Sequence, residues 1–181
     1  MTWAPDYITV EDLRAYARIP DDADDEQLAL AISAASRAVD RFTGRQFGNA
    51  EDVRTFDVVD GYAVVDDLAR IDEIKLNGRA VTPTPLPRNA SSKGRPFERL
   101  VFSNTGYQGE VEVSGLFGWA QVPDAVKQAC LLQASRFKTR RDSPLGVAGS
   151  VEAGSELRLL AKVDPDVEVS LSEFRRRWGA A

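Results

Sequence analysis

The chain has 181 residues, with 23 Lys and Arg against 28 Asp and Glu for a net charge of −5, no His, one Cys and one Met. A single cysteine, Cys130, cannot form an intramolecular disulfide, and the lack of histidine removes Cys/His zinc sites, histidine acid–base chemistry and Ser-His-Asp triads. An apolar content of 43% with 28% charged residues is globular, no stretch approaches a membrane span, and MTWAPDYITV lacks the regions of a signal peptide, so a reducing, aqueous compartment is expected.

Thr9 is an N-cap with Asp12 at N3, and Val10, Leu13 and Tyr16 or Ala17 share a face, which predicts a helix over 10–18 ended by Ile19-Pro20. Asp24, with Gln27 at N3 and Asp25 and Glu26 in the first turn, opens a second helix over 24–43. Its stripe is Leu28, Ile32, Ala35, Val39 and Phe42, and Gly44 closes it. Ala29, Ala31, Ser33, Ala34, Ser36 and Ala38 leave this helix a slim second face, suited to close approach of another helix.

From Glu51 to Trp119 the period shifts to two, which predicts a small antiparallel β insertion spanning about 53–115. Asp60-Gly61 and Asn77-Gly78 are hairpin-turn dipeptides inside Val53–Val65 and Ile71–Val81. Residues 82–97, with four prolines, read as a loop in which no ladder persists. Strands follow at Arg99–Ser103 and Glu110–Ser114, and Phe117 and Trp119 are expected to pack beneath the helix that begins at Pro123.

That third helix, over 123–141, has apolar positions on more than one stripe (Val126, Ala129, Cys130, Leu131, Leu132, Ala134, Phe137), so burial on two sides is expected. Its last turn holds Arg136, Lys138, Arg140 and Arg141, and Ser143-Pro144 stops it. Leu145–Gly154 reads as a glycine-rich arm, and Glu156–Val163 as a strand or an extension of that arm. A short amphipathic helix over about 166–178 sets Val167, Leu171, Phe174 and Trp178 on one side, beside Arg175, Arg176 and Arg177. The expected organisation is α+β and mainly helical: one domain over 1–144 interrupted by the β insertion at 51–119, then an arm and short helix over 145–181 that a partner's surface would order.

Charge follows the same order. Residues 1–60 carry 6 basic and 13 acidic side chains, 61–120 carry 7 of each, and 121–181 carry 10 basic and 8 acidic. An acidic front and a mildly basic rear suit head-to-tail pairing of copies. No enzyme is expected. The run Asp21, Asp22, Asp24, Asp25, Glu26 lacks EF-hand spacing and reads as a helix start, and Ser135-Arg136-Phe137-Lys138 matches S-x-x-K without its companion motifs. Cys130 reads as a buried, inert thiol. No cofactor or metal is implied. The alternative function is a DNA-binding accessory protein using the basic cluster 136–141, although a sequence pI of 4.9 argues against phosphate binding by the whole surface.

Three stretches carry a resemblance: Ile8–Phe47, closing in Thr43-Gly44-Arg45-Gln46-Phe47; Val111–Gly149, with G-x-x-G-W, then V-P, V-x-Q-A and the exit R-R-D-S-P-L-G-V; and Val163–Gly179. Together they resemble the head-to-tail connector, or adaptor, proteins of long-tailed bacteriophages, especially those infecting actinobacteria. The resemblance implies a structural virion subunit, assembled in the bacterial cytoplasm into a ring, usually of twelve copies. Such a ring joins the portal at the capsid vertex to a downstream tail-completion or tail-terminator protein and extends the DNA channel without binding DNA specifically; no membrane is involved. It also implies portal contacts by Leu171, Phe174, Arg175, Arg176, Arg177 and Trp178, and further contacts by the loop 143–154. Pairing across copies is expected between Asp21, Asp22, Asp24, Asp25 and Glu26 and the cluster Arg136, Lys138, Arg140 and Arg141.

Overall fold

The computed structural model describes residues 5–20, 24–103, 106–142, 147–148, 157–158 and 165–176. The chain divides into two units, one made of Gln46–Val122 and the other of Pro5–Arg45 with the residues from Pro123 onward.

The second unit is helical. Helix α1 (Val10–Ala17) opens with the predicted reciprocal cap: the Asp12 N–H donates to Thr9 Oγ1 at 3.2 Å and the Thr9 N–H to Asp12 Oδ2 at 2.9 Å. Helix α2 (Asp25–Thr43) buries Leu28, Ile32, Ala35 and Val39 and ends at Gly44, whose φ of 67° lets its N–H reach the Asp40 carbonyl at 2.8 Å. Asp24 occupies the cap position without a side-chain cap. Its backbone (φ −107°, ψ 11°) lies outside the extended region that turns a cap side chain onto the first amides, and its carbonyl accepts from Gln27 and Leu28 instead.

Helix α3 (Asp124–Asp142) packs against α1, α2 and α4, and buries Val126, Ala129, Cys130 and Ala134, as its broad apolar surface predicts. Helix α4 (Pro165–Leu171) continues as one 3₁₀ turn (Ser172–Phe174). The helix expected to reach residue 178 stops there, because Arg175 turns extended (ψ 128°) as the backbone on either side of it bonds to the end of α2. Strands β7 (Val147–Ala148) and β8 (Leu157–Arg158) pair antiparallel.

The Gln46–Val122 unit is one antiparallel sheet of six strands: β1 (Asn49–Val59), β2 (Tyr62–Leu76), β3 (Arg79–Ala80), β4 (Thr84–Leu86), β5 (Phe97–Val101) and β6 (Gly109–Gly118). The spatial order is β1-β6-β2-β5-β4, with β3 on β2, and β1 also meets the start of β2. Both predicted turns form, with positive φ at Asp60 and Gly61 and at Asn77 and Gly78. Between them the structure has a single 15-residue strand, where periodicity suggests two separate hairpins. Register shifts between Val64 and Leu68, and again on either side of Arg70, bend β2 so that its first half pairs with β5 and its second half with β6.

Alternating Val111, Val113 and Phe117 of β6 meet Val58, Ala63, Val65, Leu68, Ile74 and Leu100 in the core. The stretch 82–97 does hold a ladder: Thr84 pairs with Val101 and Leu86 with Arg99. The prolines permit this because β4 ends the sheet and Pro85, between the two, needs no donor toward β5. With strands of 11, 15 and 10 residues beside two 19-residue helices, the class is α+β, but helix and sheet contribute comparably and helix does not dominate.

Candidate interaction surfaces

The phrase Thr43-Gly44-Arg45 builds a dock for the C-terminal segment. Arg45 Nε donates to the Phe174 carbonyl at 2.7 Å, the Arg176 N–H donates to the Thr43 carbonyl at 2.7 Å, and the Arg175 guanidinium lies 5.2 Å from the Phe42 ring centroid. The Thr43 hydroxyl braces the corner, donating to the Val39 carbonyl at 2.9 Å and accepting from the Arg45 N–H at 3.3 Å. Val167, Leu171 (0% exposed) and Phe174 (7% exposed) fill the interior, each burial stabilising by about 1.5 to 3 kcal/mol. Of the residues expected to contact a portal, Leu171 and Phe174 are therefore internal, Arg175 is exposed and Arg176 half-buried; Arg177 and Trp178 lie outside the described residues.

The acidic start of α2 and the basic end of α3 come to one place. A groove of about 310 Å³ is lined by Gln27, Leu30, Ala31 and Ala34 of α2 and by Phe137 and Lys138 of α3, and Leu30 is 72% exposed beside it. Within this chain Asp25 forms an ion pair with Arg14, while Asp24 is half-buried and Glu26 exposed. Arg136, Lys138 and Arg140 are half-buried on α3. Asp21 and Asp22, the side chain of Arg141 and most of the loop 143–154 lie outside the described residues.

Behind this end, the slim face of α2 is closed by polar contacts. Ser36 Oγ donates to the Ile32 carbonyl at 2.9 Å, accepts from the Tyr7 N–H at 3.2 Å and lies 3.4 Å from Cys130 Sγ. Burial pushes the Cys130 thiol up to about 11, with the Ser36 contact opposing, so the cysteine is the inert group its apolar neighbours suggest. The Tyr7 hydroxyl donates to Asp40, and Arg37 pairs with the same carboxylate at 3.2 Å. Burial still raises the Asp40 carboxyl above its ordinary value, against the Tyr7 bond and the charges of Arg37 and Arg41.

In the sheet unit, the phrase Gly115-Leu116-Phe117-Gly118-Trp119 has a structural use that spacing does not show. A Cβ at Gly115 would stand 2.1 Å from the Arg70 carbonyl oxygen, where β2 bends, and one at Gly118 (φ 102°) would stand 1.9 Å from the Gly48 carbonyl oxygen. Trp119 Nε1 donates to the buried Asp67 carboxylate at 3.1 Å, and its ring lies 5.2 Å from Phe47. Phe117 belongs to the sheet core, where the Arg54 guanidinium covers its ring at 4.3 Å and pairs with Asp52 and Asp66. Phe117 and Trp119 are thus tied to the strands of their own unit. Val59, Tyr62 and Val64 are exposed on the first hairpin. Among the described residues no group of three or more His, Cys, Asp or Glu could hold a metal ion, and no helix is long and apolar enough to cross a membrane.

Residues 7–73 match the sequence profile of the family described as Phage gp6-like head-tail connector protein, which includes α1, α2 and the Thr43–Phe47 phrase. No curated protein matches the chain significantly. Among solved structures, a chain in the neck of an empty gene transfer agent particle computed with C6 symmetry is 17% identical, with a TM-score of 0.61 over 99% of this chain and 96% of that one. A chain in the neck of the native particle computed with C12 symmetry is 18% identical, with a TM-score of 0.51 over the same shares. These likenesses show a shared fold, and the profile match bears out the resemblance to head-tail connectors.

Proposed function

We propose that this chain is a structural connector in the neck of a phage-like particle, built as a ring of twelve copies that joins the portal to the tail and extends the DNA channel. The observation that carries this reading is the connector-family match over residues 7–73, on a chain whose fold follows a neck subunit from end to end. A neck subunit works by contact and shape, and a chain without histidine whose one thiol is buried and inert suits that work. A net charge of −5 suits a duct, since each retained phosphate contact would slow the passage of DNA.

In this reading the subunit assembles in the bacterial cytoplasm and ends in the virion. Arg175, Arg176, Arg177 and Trp178 face the portal, while Leu171 and Phe174 anchor the segment that presents them. The end of the α2–α3 pair, with Asp24, Asp25 and Glu26 at the start of α2 and Arg136, Lys138 and Arg140 on α3, is a mixed-charge patch offered to the neighbouring copy, and Asp21, Asp22 and Arg141 are proposed to take part in the same pairing. Electron microscopy of the chain mixed with its portal should show a closed ring seated on the portal; a monomer that ignores the portal ends the proposal. Truncation after Arg176 should abolish seating and leave the circular dichroism spectrum unchanged, since the buried anchors are retained.

A further inference from the structure

Besides Leu30, the helical unit exposes Val169 on α4. Val169 is 74% exposed although Val167 and Leu171 on either side of it are buried, so α4 packs one face on its own unit and turns Val169 outward. Three exposed acidic side chains lie around Val169, with exposed Ser172 between them: Asp166 three residues before it, Glu168 beside it and Glu173 four after. The α2–α3 groove has the opposite make-up, an apolar floor of Ala31, Ala34 and Phe137 with exposed Leu30 and with Lys138 on its wall. Charges of the other sign flank each patch: Asp24, Asp25 and Glu26 open α2 just before the groove, and Arg175 and Arg176 follow the α4 segment.

The patches belong to different parts of the same unit. The groove lies along the first half of α2, whereas the segment leaving α4 bonds to Thr43 and Arg45 at the far end of that helix. From Leu30 to Thr43 is about 20 Å at 1.5 Å per residue. Two unlike but complementary patches on one rigid body give a heterologous contact, which repeats head to tail and closes into a ring when the rotation allows.

We infer that the outer face of α4 of one copy, centred on Val169, seats in the α2–α3 groove of the next copy beside Leu30, with Lys138 facing the α4 carboxylates. This rests on the ring reading above and names its subunit contact. The occupant is a second copy because both halves of the match, apolar against apolar and Lys138 against Asp166, Glu168 and Glu173, are present on one chain.

The test uses the full-length chain in two single variants, Leu30→Cys and Val169→Cys. Both sites are exposed, so the fold is kept, and Cys130 is buried and does not compete. The two variants, mixed and treated with a mild oxidant or a short bis-maleimide, are expected to give a cross-linked dimer that neither gives alone. Lys138→Glu in the Leu30→Cys chain should lower the yield about five-fold, the worth of roughly 1 kcal/mol, and Glu168→Lys in the Val169→Cys chain should restore it. Oligomers by native mass spectrometry without the mixed cross-link overturn this contact and leave the ring reading standing. A chain that stays monomeric at every concentration, with its portal as well as alone, overturns the ring reading and this contact with it. A cross-link indifferent to both charge changes overturns the assignment of Lys138 to the α4 carboxylates.

Discussion

The two units use their most recognisable residues in different ways. In the sheet unit, Gly115, Gly118 and Trp119 are consumed locally: the glycines admit the carbonyls of Arg70 and Gly48, and the indole ties Asp67 to the end of β6. In the helical unit, Thr43, Gly44 and Arg45 reach across the sequence to hold the segment at Phe174–Arg176. A phrase that resembles connector proteins is therefore no guide by itself to where a partner binds. In one unit it marks a steric limit, and in the other the mounting of a terminal segment.

Substitutions can test this contrast. Gly115→Ala and Gly118→Ala should have the largest effects, at least about 3 kcal/mol each by urea unfolding, because the obstructing atoms are backbone oxygens that cannot move aside. A wild-type midpoint would show, for Gly115, that β2 can relax at its bend and, for Gly118, that the backbone at Gly48 can move aside. Leu171→Ala should cost about 3 kcal/mol through the cavity it leaves, and should raise hydrogen exchange over residues 167–176. Arg45→Ala comes next, at about 1 to 2 kcal/mol for a charged donor to a carbonyl. Its distinctive readout is faster tryptic cleavage after Arg175 and Arg176; unchanged cleavage would mean the dock does not depend on that bond.

The smallest expected effect is one of pH dependence. The Asp40 carboxyl is raised in the folded chain, so its contribution is fully present below the unfolded value near 3.8 and is lost as pH rises through the folded value. Asp40→Asn should flatten that decline between the two values while preserving an acceptor for Tyr7, which unfolding at a series of pH values can follow. A steeper decline in the variant would place the titration on another group.

Local chemistry was legible where it needed only neighbours in sequence. Thr9 and Asp12, the Leu28–Val39 stripe, Gly44 and both Asx-Gly turns follow from spacing alone. The ladder at Thr84–Leu86 was hidden by prolines whose tolerance depends on β4 being an edge, and the continuity of β2 by a bend that only its two partners explain. On the candidate surfaces, the basic end of α3 could be read as a cluster, but not its meeting with Gln27 of α2 in one groove. Periodicity marked Leu171 and Phe174 as a face without saying what covers it, because the answer lies at Thr43 and Arg45, 129 residues before Phe174 in the case of Arg45. Leu30 and Val169 break their helices' burial patterns, a signal that can be read only once the packed faces are known.

That long separation bears on how the protein is made. Domains tend to fold as they emerge, from the N-terminus onward. Helix α2 can form early on the ribosome, but the bonds from Arg45 and Thr43 must wait for Phe174 and Arg176, and Phe174 is added 129 residues after Arg45. A chain released before residue 176 thus lacks the contact that ties the α4 segment to α2, and translation past that point becomes a condition for the helical unit to be finished.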